Sequence, residues 1–300
     1  MSARLTLGPV LTHWPGAERD DFYARIADEA AIDTVYLGEV VCAKRLPIVG
    51  EATERAAARL GRAGKAVVAS TLALVMDEGD LAALAEVADG EGLVEANDVA
   101  ALARLAGRPH VVGPFVNAYN EATLAWLAAN GASRVVLPAE LAATAIATLA
   151  AAAPVEIEVQ VFGRLPLALS ARCYHARAHG LAKDGCRFVC GENREGLVAT
   201  TLDGTPFVAV NGTQTLSVPL LEASAEIGAL AEAGVGWFRL WPQALDMVAV
   251  ATVYRDLLDR RIEAEAAHSR IAAIAGDRPL GRGLAFGHEG RSEGWLARAE

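Results

Sequence analysis

The sequence is short of the features that mark several large classes of protein. Positive charge is in deficit: 27 Lys and Arg face 37 Asp and Glu, a formal net charge of −10, with an isoelectric point near 5.2. No basic stripe is available to displace counterions from a phosphate backbone, which argues against a general nucleic-acid binder. The acidic residues are dispersed rather than gathered into a disordered tail. Long apolar runs are also missing. The most apolar stretch, Leu141 to Ala153, is rich in Ala and Thr and falls well under the roughly 20 residues needed to span a bilayer. No uninterrupted apolar run follows Arg4, so a secretory leader is not expected and a cytoplasmic protein is. Short catalytic motifs are scarce as well. Gly61-Arg62-Ala63-Gly64-Lys65-Ala66 lacks the preceding strand and the following Ser or Thr of a phosphate loop. There is no His-Glu-x-x-His and no Gly-x-Ser-x-Gly, so nothing resembles protease machinery. Cysteine is limited to four residues. In a reducing compartment these favour a metal or catalytic role over disulfides.

What remains is an ordinary globular composition, 53% hydrophobic and 21% charged, in a chain of 300 residues. Short β-branched runs alternate with longer Ala/Leu/Glu/Arg runs from end to end. Strands are expected at Leu5–Leu11, Thr34–Gly38, Ala66–Ser70, Gly92–Ala96, His110–Phe115, Arg134–Leu137, Ile157–Phe162 and Gly236–Trp241. Helices are expected at Arg19–Ala31, Ala52–Arg62, Asp80–Ala88, Asp98–Ala106, Glu121–Ala129, Leu141–Ala152, Leu221–Ala233 and Asp246–Asp259. Gly64, Gly107, Gly131 and Gly234 supply helix stops. Eight such units imply an α/β fold with a parallel sheet closed into a TIM-like (β/α)8 barrel, an open doubly wound sheet being the alternative.

One connection breaks the rhythm. Residues 163–220, between the seventh strand and the following helix, hold three of the four cysteines. They also contain a hairpin pattern over Val198–Val210, with Asp203-Gly204 as its turn. An insertion after a barrel strand lies on the C-terminal face, where active sites of this fold are built. Residues 1–275 therefore read as one barrel domain that includes the Cys-rich insertion. Residues 276–300 read as an irregular Gly-rich tail.

Cys42 follows the second strand; Cys173, Cys186 and Cys190 follow the seventh, so a barrel places all four on one face. Thiolates are soft ligands, and four complete either a zinc site or an iron–sulfur cluster. Unligated buried cysteines are the bland alternative. His175 and His179 are spare candidates for a thiolate's place.

The segments around these cysteines carry a resemblance. Tyr36-Leu37-Gly38-Glu39-Val40-Val41-Cys42-Ala43-Lys44-Arg45 resembles the first cysteine motif of the UbiV family, within the collagenase-like peptidase superfamily. Leu165-Pro166-Leu167-Ala168-Leu169-Ser170-Ala171-Arg172-Cys173 and Lys183-Asp184-Gly185-Cys186-Arg187-Phe188-Val189-Cys190 are similar to its later ones. Lesser matches run from Leu7-Gly8-Pro9-Val10 to Arg239-Leu240-Trp241-Pro242-Gln243. The resemblance implies a 4Fe–4S cluster on Cys42, Cys173, Cys186 and Cys190, and a heterodimer with a UbiU-like sister subunit. It also implies oxygen-independent hydroxylation of the ring of a ubiquinone precursor, with prephenate as oxygen donor.

Glu39, Thr71, Glu95, Asn117 and Glu140 fall at strand ends, where they either ring a barrel mouth or cap the next helix. Glu39, three residues from Cys42, and Arg172, beside Cys173, are the candidates for a catalytic role. Arg172, Lys44 and Arg45 are placed to bond cluster sulfides or a carboxylate donor. Trp14, Tyr119, Tyr174 and Trp241 are available to stack on a ring, although core packing is the commoner use. Two other functions fit the same cysteines: a non-catalytic electron-transfer or structural subunit, and hydroxylation of an RNA base, which the net charge disfavours.

Overall fold

The alternating runs form strand–helix units in the computed structural model, which describes residues 3–283. Strands β1 (Arg4–Leu7), β2 (Thr34–Leu37), β3 (Ala66–Ser70), β4 (Leu93–Ala96), β5 (His110–Val112), β6 (Ala132–Val136) and β7 (Glu156–Leu169) pair in sequence order, all parallel. A later strand, β11 (Trp237–Leu240), pairs with β1 on one side and β7 on the other. That double pairing closes an eight-stranded parallel barrel, and the open-sheet alternative falls away.

Helices α1 (Gly16–Glu29), α2 (Leu46–Arg62), α3 (Glu78–Asp89), α4 (Val99–Leu105), α5 (Glu121–Ala129) and α6 (Ala143–Ala152) fill the successive connections. Short polar residues start several of them. Asp77, Asp98 and Asn120 accept from the amides of Asp80, Ala100 and Thr123, satisfying donors that the first helical turn leaves free. The apolar residues of alternating strand positions, such as Leu5, Val35, Val94, Val135 and Val159, pack outward on these helices in one core. No helix among the described residues is long and apolar enough to cross a membrane.

The insertion is built as a continuation of the barrel. β7 runs on past the rim to Leu169, and β8 (Leu197–Thr200), β9 (Pro206–Asn211) and β10 (Gln214–Glu222) follow it as antiparallel strands. A short helix, α7 (Tyr174–Ala178), precedes β8. The expected hairpin is β8 and β9, with Gly204 at φ +84° in its turn.

Several expected boundaries move. β1 stops at Leu7 rather than Leu11, because Pro9 has no amide for a ladder. The expected strand His110–Phe115 likewise ends at Val112, where Pro114–Val116 forms a 3-10 turn. α2 begins at Leu46 rather than Ala52, with Pro47 tolerated in its first turn. The helix expected over Leu221–Ala233 shrinks to α8 (Ile227–Glu232), since Leu220, Leu221 and Glu222 are used in pairing with β7. After α9 (Met247–Leu258) the chain adds an unforeseen helix, α10 (Ala264–Ala275), packed on α9. The expected irregular tail begins with β12 (Leu280–Gly281), parallel to the end of β10, and the remainder of that tail lies outside the described residues.

Candidate functional site

The four cysteines, distant in sequence, line one pocket of about 330 Å³, together with Lys44, Arg45, Lys183, Phe188, Val189 and Gly212. The fold explains the meeting. Cys42 ends the loop after β2, Cys173 follows the extended β7, and Cys186 and Cys190 lie on the loop between α7 and β8. All four are free thiols. The Cys173 sulfur accepts the Ala176 amide at 3.4 Å as the N-cap of α7. Between Cys186 and Cys190, Arg187 and Phe188 take consecutive left-handed conformations, φ 49° and 55°. Such residues cost of order 1–3 kcal/mol each and gather at ligand clamps. Burial pushes the Cys42 thiol up, while Arg45 works in the opposite direction.

Beneath the pocket lies a fixed support. Glu39 Oε1 accepts from the amides of Val41 and Cys42 at 2.9 and 3.0 Å, and faces Arg45 Nη1 at 3.7 Å. Arg45 also donates to the Leu11 carbonyl at 3.1 Å and to Asn211 Oδ1 at 2.7 Å. Asn211 Nδ2 in turn donates to the carbonyls of Cys190 and Asn193. Gly212, at φ +70°, makes room for this: a Cβ there would stand 2.5 Å from Arg45 Nη2. Arg45 is 1% exposed, and its Nε has no acceptor. Burial lowers the tendency of this guanidinium to hold its proton, but Glu39, Cys190 and Cys42 outweigh it, and its pKa is raised. Lys44 Nζ reaches the Lys183 carbonyl and Asp184, each at 3.0 Å, closing the rim.

Four thiols with Lys44, Arg45 and Lys183 on one pocket are a set of side chains from which a thiolate-bound metal centre, zinc or iron–sulfur, could be built. Among the described residues, no group of three or more His, Cys, Asp or Glu side chains is placed to hold a metal ion as it stands. A cluster takes its thiolates on separate irons and is favoured by hydrogen-bond donors and cations around its sulfurs, which Arg45, Lys44 and Lys183 supply.

The second polar centre is inside the barrel, and of its charged residues only Glu95 was a candidate from the sequence. Arg239 on β11 donates through Nε to Glu158 on β7 at 2.6 Å and through Nη1 to Glu95 on β4 at 2.7 Å. Glu158 also accepts from Thr6 and Tyr36, each at 2.6 Å, and Glu95 from Ser70 at 2.7 Å and Asn97 at 3.1 Å. β4 and β11 are not neighbours in the ring, so these bonds cross the lumen. Burial alone would raise the Glu158 carboxyl, but Arg239 and Arg134 outweigh it and hold it low. Burial, seconded by Glu158, keeps the Tyr36 phenol well above its usual range. Trp241 stands beside the network, its ring centre 5.4 Å from the Arg239 guanidinium carbon. It is 2% exposed, a Cβ at Gly8 would stand 2.6 Å from its ring, and Cys42 packs on the cluster it forms with Leu11, Val40 and Val41.

The remaining candidates scatter. Arg172 is exposed, only its backbone amide bonded, to Ser170 Oγ, and its side chain does not line the thiol pocket. Thr71 Oγ1 accepts from the Asn97 amide at 3.0 Å. Asn117 ends a 3-10 turn in the left-handed region, and Glu140 accepts from the exposed Tyr119 hydroxyl. His175 and His179 stack at 5.2 Å, with Nδ1 atoms on the carbonyls of Val210 and His175, away from the pocket. Trp14 is core; Tyr174 is exposed.

Several solved structures are similar to this chain, three of which follow. A dihydrodipicolinate synthase from Agrobacterium tumefaciens aligns at 14% identity and TM-score 0.48, covering 90% of this chain and 80% of its own. A U32 peptidase aligns at 12% identity and TM-score 0.44 over 81% and 94%. A dihydropteroate synthase from Xanthomonas albilineans aligns at 13% and 0.44 over 86% and 92%. The family model that matches the sequence does so across barrel and insertion together, from residue 22 to residue 280, and its description is Peptidase family U32. With that span matched, the chain belongs to peptidase family U32.

Proposed function

We propose that this chain is the 4Fe–4S subunit of an oxygen-independent hydroxylase that acts on the aromatic ring of ubiquinone precursors beside a UbiU-like sister subunit. The observation that carries the reading is the meeting of Cys42, Cys173, Cys186 and Cys190 on one pocket, at the four positions the sequence resemblance assigns to a cluster. Family membership is consistent with it, and so is the lack of a protease motif in a chain of a peptidase family. Cys42, Cys173, Cys186 and Cys190 would hold the cluster, which when bound supplies one-electron redox chemistry at the barrel's C-terminal face. The chain's own groups do the rest. Glu39 fixes the Cys42 loop through two amides, Arg45 sets a buried positive charge against the thiols, and Trp241 packs with Leu11, Val40 and Val41 against Cys42.

A second reading is a subunit that carries electrons or scaffolds the complex while its partner holds the ring. The burial of Trp241 with Leu11, Val40 and Val41, close to Arg239, favours it, because side chains fill the space beside the thiol pocket. The two separate in one experiment. The chain is purified anaerobically with its sister subunit, a ring-unsubstituted precursor and prephenate are added, and hydroxylated product is measured by mass spectrometry. Product formed by the pair and absent without this chain supports the proposal. Product formed by the sister subunit with its own cluster alone defeats it. Product that survives Trp241→Ala and Arg239→Lys with the cluster retained points to the second reading.

A further inference from the structure

The turn that joins β9 to β10, Asn211-Gly212-Thr213-Gln214, carries three buried polar side chains, none more than 2% exposed. Together they bond the loops that carry the cysteines. Asn211 Oδ1 accepts from the His13 amide at 3.1 Å and from Arg45 Nη2 at 2.7 Å. Its Nδ2 donates to the carbonyls of Cys190 at 3.0 Å and Asn193 at 2.9 Å. Thr213 Oγ1 donates at 2.8 Å to the Val41 carbonyl, in the peptide that precedes Cys42. The Thr213 carbonyl accepts from the Ser170 amide at 2.9 Å, and the Val210 carbonyl from His175 Nδ1 at 3.0 Å, so Cys173 is held from both sides. Gln214 Nε2 donates at 2.7 Å to the Leu11 carbonyl, which Arg45 also uses. Three cysteine segments, far apart in sequence, thus meet on one short turn. The Cys186 segment is tied elsewhere, by half-buried lysines at the rim. Lys44 Nζ donates to the Lys183 carbonyl at 3.0 Å, and Lys183 Nζ to the Ala171 carbonyl at 3.2 Å.

We infer that this turn is the positioning element of the thiol pocket: it fixes the backbone at Cys42, Cys173 and Cys190 before any metal binds, and leaves the Cys186 segment to close the site. Ordering loops at the moment of binding costs conformational entropy for each residue fixed. Bonds already made within the protein move that cost from metal binding to folding. Thr213 and Asn211 are suited to the task because they are buried, and undoing one of their bonds leaves an unmet group inside the protein. The inference rests on the proposed function only in taking the four thiols as one metal site. A preformed backbone serves zinc and an iron–sulfur cluster alike.

The test uses the full chain, reduced and stripped of metal with a chelator. N-ethylmaleimide labels each thiol at a rate set by local opening, and peptide mass spectrometry reads the four cysteines separately. In the wild type, Cys186 should label at least about tenfold faster than Cys42, Cys173 or Cys190. Thr213→Val keeps the shape and removes the donor to Val41. It should speed Cys42 by about tenfold, equivalent to about 1.4 kcal/mol, and leave Cys186 unchanged. Thr213→Ser, which keeps the hydroxyl, should restore the wild-type rate. Asn211→Asp keeps the acceptor for His13 and Arg45 but loses the donor, and should speed Cys190 instead. The inference is overturned if Cys186 is no faster than the other three in the wild type, or if Thr213→Val leaves Cys42 at its wild-type rate. It is equally overturned if Thr213→Val speeds all four thiols alike, as a general loosening of the fold would. The wild-type comparison decides even where a variant fails to fold. A wrong cluster assignment would show in the metal count and leave these rates untouched.

Discussion

At the scale of single residues, the two catalytic candidates part company. Glu39 holds two amides and a buried guanidinium, whereas the side chain of Arg172 stands in solvent. Glu39→Ala strands Arg45 and the Cys42 amide, and breaking a buried pair of this kind costs about 3–5 kcal/mol. It is expected to lower both the denaturation midpoint and the iron retained per chain, while Arg172→Ala changes neither. Iron assay and urea titration of the two variants, side by side, check this; equal iron in both would remove Glu39 from its supporting role. Arg45 offers a finer test. Its charge lines the thiol pocket, so Arg45→Met should move the midpoint potential of the reconstituted centre to a more negative value, read by an EPR redox titration. An unchanged potential would mean that its nitrogens do not sense the centre. The cysteines were legible in the sequence because their motifs are local. Arg45 was visible only as a neighbour of Cys42, because its work depends on Asn211 and Gly212, far away in the chain.

Elements were legible where a β-branched run met a capped helix, and this covers the barrel. The long arm of β7 was not. Gly163 and Pro166 interrupt its sequence and read as a stop, yet the ladder to β10 absorbs Pro166 opposite Leu216 at a register shift. α10 was missed for another reason: its buried stripe, Ala267, Ile271 and Ala275, is mostly alanine and contrasts weakly with its other faces. The hairpin was read correctly, and its tip bears on the partner. Val198, Leu202 and Phe207 are exposed apolar residues on or beside β8 and β9. If the sister subunit covers this ribbon, Leu202→Asp with Phe207→Asp should leave the melting temperature unchanged and abolish co-purification of the two subunits. Undiminished co-purification would move the interface elsewhere.

For the whole molecule, the barrel is held from inside by charge as well as from outside by apolar packing. Alternation along β7 reads equally well as a polar face turned to solvent; only ring closure makes that face the lumen. Hence Glu158 and Arg239 escaped notice in the sequence, although a charge in the middle of an apolar strand is the one signal that marked them. Glu158→Gln leaves Arg239 and Arg134 short of countercharge and is expected to destabilise the fold by about 3–5 kcal/mol at neutral pH. The pH dependence has a definite sign. A carboxyl held below its ordinary value contributes stability that is complete above the ordinary carboxylate range and is lost as the pH falls through the lowered value. The urea midpoint of the wild type should therefore fall in acid, and that of Glu158→Gln should fall less steeply. Parallel curves would show that the lumen carboxylate is not the titrating group.

The thiol pocket joins the barrel to its insertion, and what fills it decides the account. The most direct measurement is the count of iron, acid-labile sulfide and zinc per chain after anaerobic purification, for the wild type and for Cys42→Ala. About four irons and four sulfides per wild-type chain, with loss of both in Cys42→Ala, are the result the account predicts. Zinc in place of iron, or a Cys42→Ala protein that keeps its full iron and sulfide, would contradict it.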